Sequence, residues 1–171
     1  FNLSPYYFGL GAKNLVIRTF FADGTQQDEA IIVRVLSDFA PEQYSVQIVK
    51  SYPHNKESYT QGLEFNNGQL YEATGDPGQQ GKSILAQVDL NTGAFGLQKG
   101  LDATHFGEGI TILNGKIYQL TWRTGKCFIY DQKDLSINPK SFTYTGEGWG
   151  LCNNGKQLIM SDGSERIYFR N

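Results

Sequence analysis

Two cysteines, two histidines and the lack of any long apolar run set the first limits on this sequence of 171 residues. No apolar stretch approaches the ~18 residues that a membrane-crossing helix needs. His54 and His105 lie far apart, with no cysteine or carboxylate at metal-ligand spacing, which argues against a catalytic zinc centre. Cys127 and Cys152 are isolated, and spacing alone leaves two readings open: two buried reduced thiols, or one disulfide. The G-x-S-x-G elbow of Ser-His-Asp chemistry is missing, since Ser161-Asp162-Gly163 does not match it. An excess of one charge is missing too. Fifteen basic residues against seventeen acidic give a net charge of −2, so nothing calls for nucleic acid or an anionic membrane. GDPGQQGKS (75–83) approaches a phosphate loop but has Asp76 where a glycine must stand, and strand-like SILAQVDL where a helix must follow. GEGWG (146–150) lacks the βαβ context of a nucleotide turn. The chain opens Phe1-Asn2-Leu3, without an initiator methionine, basic region or apolar core of a signal. The expectation is a removed signal or an internal fragment.

Aromatic residues and glycine are plentiful: 10 Tyr, 11 Phe, 2 Trp and 20 Gly. Together they favour strands and turns over helices. A repeat organises them: QGLEFNNGQLYEATG (61–75), EGITILNGKIYQLTW (108–122) and WGLCNNGKQLIMSDG (149–163). Each copy opens with a variable residue, then Gly, then Leu or Ile, and carries Asn-Gly near its middle, one residue early in the third copy. Asn-Gly suits both positive-φ positions of a type I′ turn and so predicts a hairpin. A further strand-like element follows each copy, at 83–93, 126–136 and 165–171. Four short strands in 40 to 50 residues describe one propeller blade. The fold expected is therefore all-β, a β-propeller rather than a sandwich, because sandwich strands seldom resemble one another.

About two and a half blades are accounted for between 61 and 171, so the sequence reads as cut off at its C-terminus, with blade edges left unpaired. YSVQIVKSYP (44–53) looks like an outer strand that completes the last blade. Residues 1–43 lack the repeat. Strand, Asp-Gly turn region, strand over 14–38 suggests part of an immunoglobulin-like sandwich, with FAPEQ (39–43) as linker. The alternative places both strands in the propeller. The division expected is 1–43 and 44–171.

The repeats put Gln61, Glu108 and Trp149 at equivalent positions, each before a glycine. In a propeller the first strand of each blade runs nearest the axis, so these side chains converge on one mouth of the channel. They read as polar lining of a wet channel or as a pocket with one titratable group and an aromatic wall. Trp122 reads as a second wall or as a core residue. Glu64, Glu72 and Glu147 read as solvent-facing or loop carboxylates, and Tyr71 and Tyr118 as packing residues.

YTQGLEF, FGEGIT, YQLTW, FIYD, EGWGL and MSDG, in that order, resemble the plant and bacterial type of glutaminyl-peptide cyclotransferase over roughly 47–171. Residues 1–43 resemble the immunoglobulin-like extension of some bacterial members. The resemblance implies a five-bladed propeller and conversion of a peptide's N-terminal glutamine to pyroglutamate with loss of ammonia. It implies Glu108 as general acid/base, Trp122 and Trp149 as indoles framing the substrate, and Gln61 in the pocket. It also implies an asparagine, a tryptophan and a lysine on later blades, for which this chain has no matching segment, so the 171 residues are expected to turn over weakly or not at all. No cofactor is implied for catalysis; a structural calcium in the channel is allowed by analogy, with no ligand set here to establish it. The implied partner is a peptide or protein with N-terminal glutamine, and the implied location extracytoplasmic. A different class stays open beside this one: a non-catalytic propeller serving as a binding or scaffold module.

Overall fold

Apolar runs on either side of Asn-Gly pairs become antiparallel hairpins. The computed structural model describes residues 8–78 and 80–171, apart from the side chain at 139. Residues 1–7 of the expected first region, and Gln79 in the GDPGQQGKS loop, lie outside the described residues. Thirteen strands form four sheets among the described residues, each an antiparallel meander in chain order. Two compact units result, Phe1–Ile48 and Val49–Asn171.

The first unit holds β1 (Gly11–Phe20) and β2 (Gln26–Val35), paired from Gly11↔Val35 to Phe20↔Gln26. Asp23 closes the turn, its carboxylate accepting the Thr25 N–H at 3.0 Å and the Thr25 hydroxyl at 2.7 Å. The Asp-Gly turn between two strands is thus where the sequence puts it.

The second unit contains three meanders. β3 (Thr60–Asn66), β4 (Gln69–Thr74), β5 (Ile84–Val88) and β6 (Phe95–Gly100) form the first. β7 (Gly107–Leu113), β8 (Lys116–Thr121), β9 (Lys126–Asp131) and β10 (Ile137–Thr143) form the second. β11 (Leu151–Asn153), β12 (Leu158–Ser161) and β13 (Ile167–Arg170) form the third. Asn67-Gly68 (φ 49°, 82°) and Asn114-Gly115 (φ 52°, 71°) have the positive φ pairs of type I′ turns. The third hairpin differs. There the Asn154 side chain accepts the N–H groups of Lys156 and Gln157, and a four-residue loop closes by Asn154 N–H to Gln157 O at 3.2 Å. An asparagine that binds its own backbone makes an Asx turn in place of the tight one.

Apolar faces of successive meanders pack on each other. Tyr71, Ala73 and Leu85 meet Ile110, Ile112, Ile117 and Tyr130 in one core cluster. Leu120, Cys127, Tyr144 and Met160 make the next, with Tyr118 and Tyr168 packed against it. Tyr71 and Tyr118 are therefore packing residues, as expected. The cysteine expectation needs correcting: both thiols are free, but only Cys127 is buried, and Cys152 is exposed. Cys152 stands on β11, opposite Ile159 of β12. Burial pushes the Cys127 thiol up to about 12, so it acts as an inert core residue.

The segment 44–53 is also corrected. It forms no strand; it runs as irregular, largely exposed chain, with Tyr44, Val46, Ile48 and Val49 all open to solvent. Alternation suits a strand, but a strand needs a ladder partner, and this segment has none among the described residues.

First strands of adjacent meanders touch: β3 lies against β7, and β7 against β11. A Cβ on Gly62 would sit 2.7 Å from the Ile110 nitrogen, and one on Gly109 would sit 2.5 Å from the Trp149 oxygen. The backbones meet there directly, with Gly109 N–H donating to Trp149 O at 2.9 Å. Longer side chains bridge the same seams. Glu64 accepts the Ile112 N–H at 2.9 Å, and Asn153 donates to Thr111 Oγ1 at 2.7 Å and Ile112 O at 3.0 Å. Glu64 is thus a seam residue rather than a solvent-facing carboxylate.

Gly109→Ala should lower stability by about 1–3 kcal/mol, because backbone on the facing strand cannot give way as a side chain can. Thermal unfolding checks this against Gly100→Ala, where nothing lies within 4 Å of the added carbon and the melting temperature should hold.

Candidate active site

Each first strand begins with an irregularity at its repeat's opening residue. In β3 the register slips between Thr60 and Gly62, leaving Gln61 as the extra residue. In β7 it slips between Gly107 and Ile110, so that Glu108 and Gly109 face one residue of β8. In the third meander Ser161 accepts from the Trp149 N–H and donates to the Gly150 carbonyl, both at 3.0 Å. A bulge re-aims the side chain it carries, away from the strict in-and-out alternation of a pleat. Gln61, Glu108 and Trp149 are turned in this way toward one cavity.

That cavity is about 390 Å³ and is lined by Tyr59, Gln61, Phe106, Glu108, Trp122, Trp149 and Gly150. All four residues singled out in the sequence are present. Trp122 follows β8, and its indole belongs to the wall rather than the core. Phe106 stands edge-on to Trp122 with ring centroids 5.5 Å apart, and Tyr59 edge-on to Phe106 at 6.2 Å. Sequence reasoning did not single out Tyr59 and Phe106, although each is the first letter of a quoted motif, YTQGLEF and FGEGIT, two residues before Gln61 and Glu108.

Glu108 is 8% exposed. Gln61 Nε2 donates to its Oε1 across a long 3.4 Å. Burial first, and the negative charge of Glu147 second, push Glu108 up to about 7. Glu147 moves the other way. Its Oε2 accepts the indole N–H of Trp122 at 2.7 Å and of Trp149 at 2.9 Å, and Arg123 Nε lies 3.5 Å from its Oε1. The Trp149 and Trp122 bonds, and then Arg123, hold Glu147 below its ordinary range. The result is one carboxyl that can carry a proton near neutrality beside one that stays ionised, a pairing that suits proton transfer.

The family model described as glutamine cyclotransferase matches residues 18–171. This chain belongs to the glutamine cyclotransferase family. It is similar to glutaminyl-peptide cyclotransferase of Arabidopsis thaliana, at 38% identity over 124 residues, covering 72% of this chain and 38% of the plant protein. It is also similar to the crystal structure of Myxococcus xanthus glutaminyl cyclase, with a TM-score of 0.63 and 31% identity, over 72% of this chain and 50% of that one. The chain thus spans half or less of the length of these two relatives. The family match begins at residue 18, inside β1, upstream of the 47–171 stretch that carries the sequence resemblance.

Within this chain the remaining carboxylates fall elsewhere. Glu147 does sit in a loop, as read, but two indoles and an arginine hold it. Glu72 is wholly buried, against expectation. His54 Nε2 lies 3.1 Å from each of its oxygens, and Thr60 Oγ1 donates to it at 2.6 Å. Those partners come from 12 and 18 residues away, which is why the strand pattern alone reads Glu72 as surface. His105 pairs with Asp102 at 2.7 Å, and Thr104 and His105 hold Asp102 down at about 2. Each histidine therefore has one carboxylate, and no group of three or more His, Cys, Asp or Glu able to hold a metal ion occurs among the described residues.

A carboxyl that titrates at about 7 when folded, against 4.5 ordinarily, keeps a proton that the unfolded chain has already lost. Its contribution to stability therefore falls as pH rises from about 4.5 to about 7, and stays low above that. Glu108→Gln should remove this slope. The melting-temperature difference, variant minus wild type, should grow across that window and level off beyond it. A difference that stays flat would mean Glu108 titrates as an ordinary glutamate.

Proposed function

We propose that the protein carrying this chain is a glutaminyl-peptide cyclotransferase, converting an N-terminal glutamine of a peptide to pyroglutamate with release of ammonia, and that Glu108 is its general acid/base. The observation that carries this reading is the protonatable Glu108 carboxyl in an indole-walled cavity, in a chain of this family. A binding or scaffold module would have no need of a carboxyl set at about 7 beside a fixed, ionised one.

The chemistry is an intramolecular aminolysis. The α-amine nitrogen attacks the side-chain amide carbon, a C–N bond forms, and the amide C–N bond breaks to release ammonia. Glu108 takes a proton from the amine and returns one to the departing nitrogen, so no other proton donor is consumed. Trp122 and Trp149 hold the folded-back side chain between flat apolar faces and keep water from the nucleophile. Gln61, beside Glu108, offers amide hydrogen-bonding groups to the substrate's own carboxamide.

The architecture belongs to the same proposal. Three meanders in chain order, meeting at their first strands, support successive blades of a propeller, five-bladed by the resemblance. The β1–β2 hairpin supports an immunoglobulin-like element in residues 1–43, ahead of a propeller region at 44–171. A structural calcium in the channel, and an extracytoplasmic location, rest on the resemblance.

The test is ammonia release from a peptide with N-terminal glutamine, coupled to a dehydrogenase readout, on the protein that carries this chain. Glu108→Gln should lower the rate by about two to four orders of magnitude. Near-normal turnover by that variant would take Glu108 out of the mechanism.

A further inference from the structure

Five of the chain's loop carboxylates serve their own turns. Asp23, Asp89, Asp102, Asp134 and Asp162 each accept a backbone N–H two residues on. Glu147 does not follow that pattern. Its one Oε2 receives indole N–H bonds from two different meanders, Trp122 at the end of β8 and Trp149 ahead of β11. Arg123 completes the cluster, with its guanidinium 3.7 Å from the centre of the Trp122 ring and its Nε 3.5 Å from Glu147 Oε1. Trp149 is about half exposed, so packing alone does not fix its indole.

We infer that Glu147 is a positioning residue of the cyclisation site, its carboxylate locking the Trp122 and Trp149 indoles together as one wall beside Glu108. This rests on the function proposed above. An indole N–H donates a single hydrogen bond, so each ring that commits it to a shared oxygen loses most of its freedom to turn. The distance between the two rings is then set by one atom. The same oxygen brings a fixed negative charge toward the pocket. Among the described residues, Arg123 faces this pair of carboxylates on the Glu147 side, and Tyr144 and Tyr59 on the Glu108 side. Tyr144 accepts the Thr121 N–H and donates to the Thr121 carbonyl, and burial pushes its hydroxyl up, so it is uncharged at neutral pH. Arg123 offsets part of the Glu147 charge; the remainder reaches Glu108.

The experiment reads the indole ¹⁵N–¹H resonances of Trp122 and Trp149 in ¹⁵N-tryptophan-labelled protein that carries this chain, each assigned by its loss in the Trp122→Phe or Trp149→Phe variant, and so reports both bonds without any substrate. Glu147→Ala should move both resonances together. Glu147→Gln, which keeps an acceptor oxygen but not the charge, should leave both close to their wild-type positions while lowering the Glu108 midpoint below about 7. In the active protein, Glu147→Ala should lower kcat/KM about 10²-fold through lost placement, and Glu147→Gln should restore most of that at neutral pH. Indoles that stay put in Glu147→Ala, or a single one that moves, would overturn the assignment, as would a Gln variant no better than the Ala variant. Coupled indole shifts in a protein that releases no ammonia would sink the functional reading instead and leave the braced wall standing.

Discussion

Direct backbone contact between first strands is the constraint on which the rest of the second unit depends. It requires that no side chain stand at the position after each opening residue, and glycine meets that requirement at 62 and 109. With the strands in contact, Gln61, Glu108 and Trp149 become neighbours, although 47 residues separate the first pair. The apolar faces behind them then close into two core clusters, and seam bonds from Glu64 and Asn153 hold the register between sheets. Packing, register and cavity follow from one steric allowance.

The cavity's electrical character comes from unequal treatment of two carboxyl groups. Glu108 is enclosed and has one long hydrogen bond from Gln61. Glu147 stands at the edge, with two indole donors and an arginine. Donors stabilise the ionised form and enclosure destabilises it, so the two residues separate in proton affinity. The aromatic surfaces that wall the cavity also enclose Glu108, so shaping the pocket and raising the proton affinity of its carboxyl are one act.

The hairpins, the first two Asn-Gly turns and the convergence of Gln61, Glu108 and Trp149 were legible in the sequence because they depend on local rules that the repeat restates; Trp122 stood open between wall and core until the cavity was seen. Properties that depend on distant partners were not. Glu72 reads as surface until His54 and Thr60 arrive from elsewhere in the chain, and Glu147 reads as a solvated loop residue until the fold brings Trp122 across 25 positions. Residues 44–53 alternate like a strand, but alternation describes a face, and pairing needs a neighbour. The third turn departs from its siblings because the side chain of Asn154 captures backbone donors that the tight form leaves free.

The bulges have a consequence for how such a protein can change. An extra residue stands outside the alternation that assigns its neighbours to the core or to solvent, and so answers to no packing partner on its own strand. One geometric position therefore carries an amide in the first meander, an acid in the second and an indole in the third, over nearly the same apolar scaffold. The chemistry of the rim and the cohesion of the interior are specified by separate letters of the repeat, so the rim residue can change in kind while the apolar scaffold stays the same.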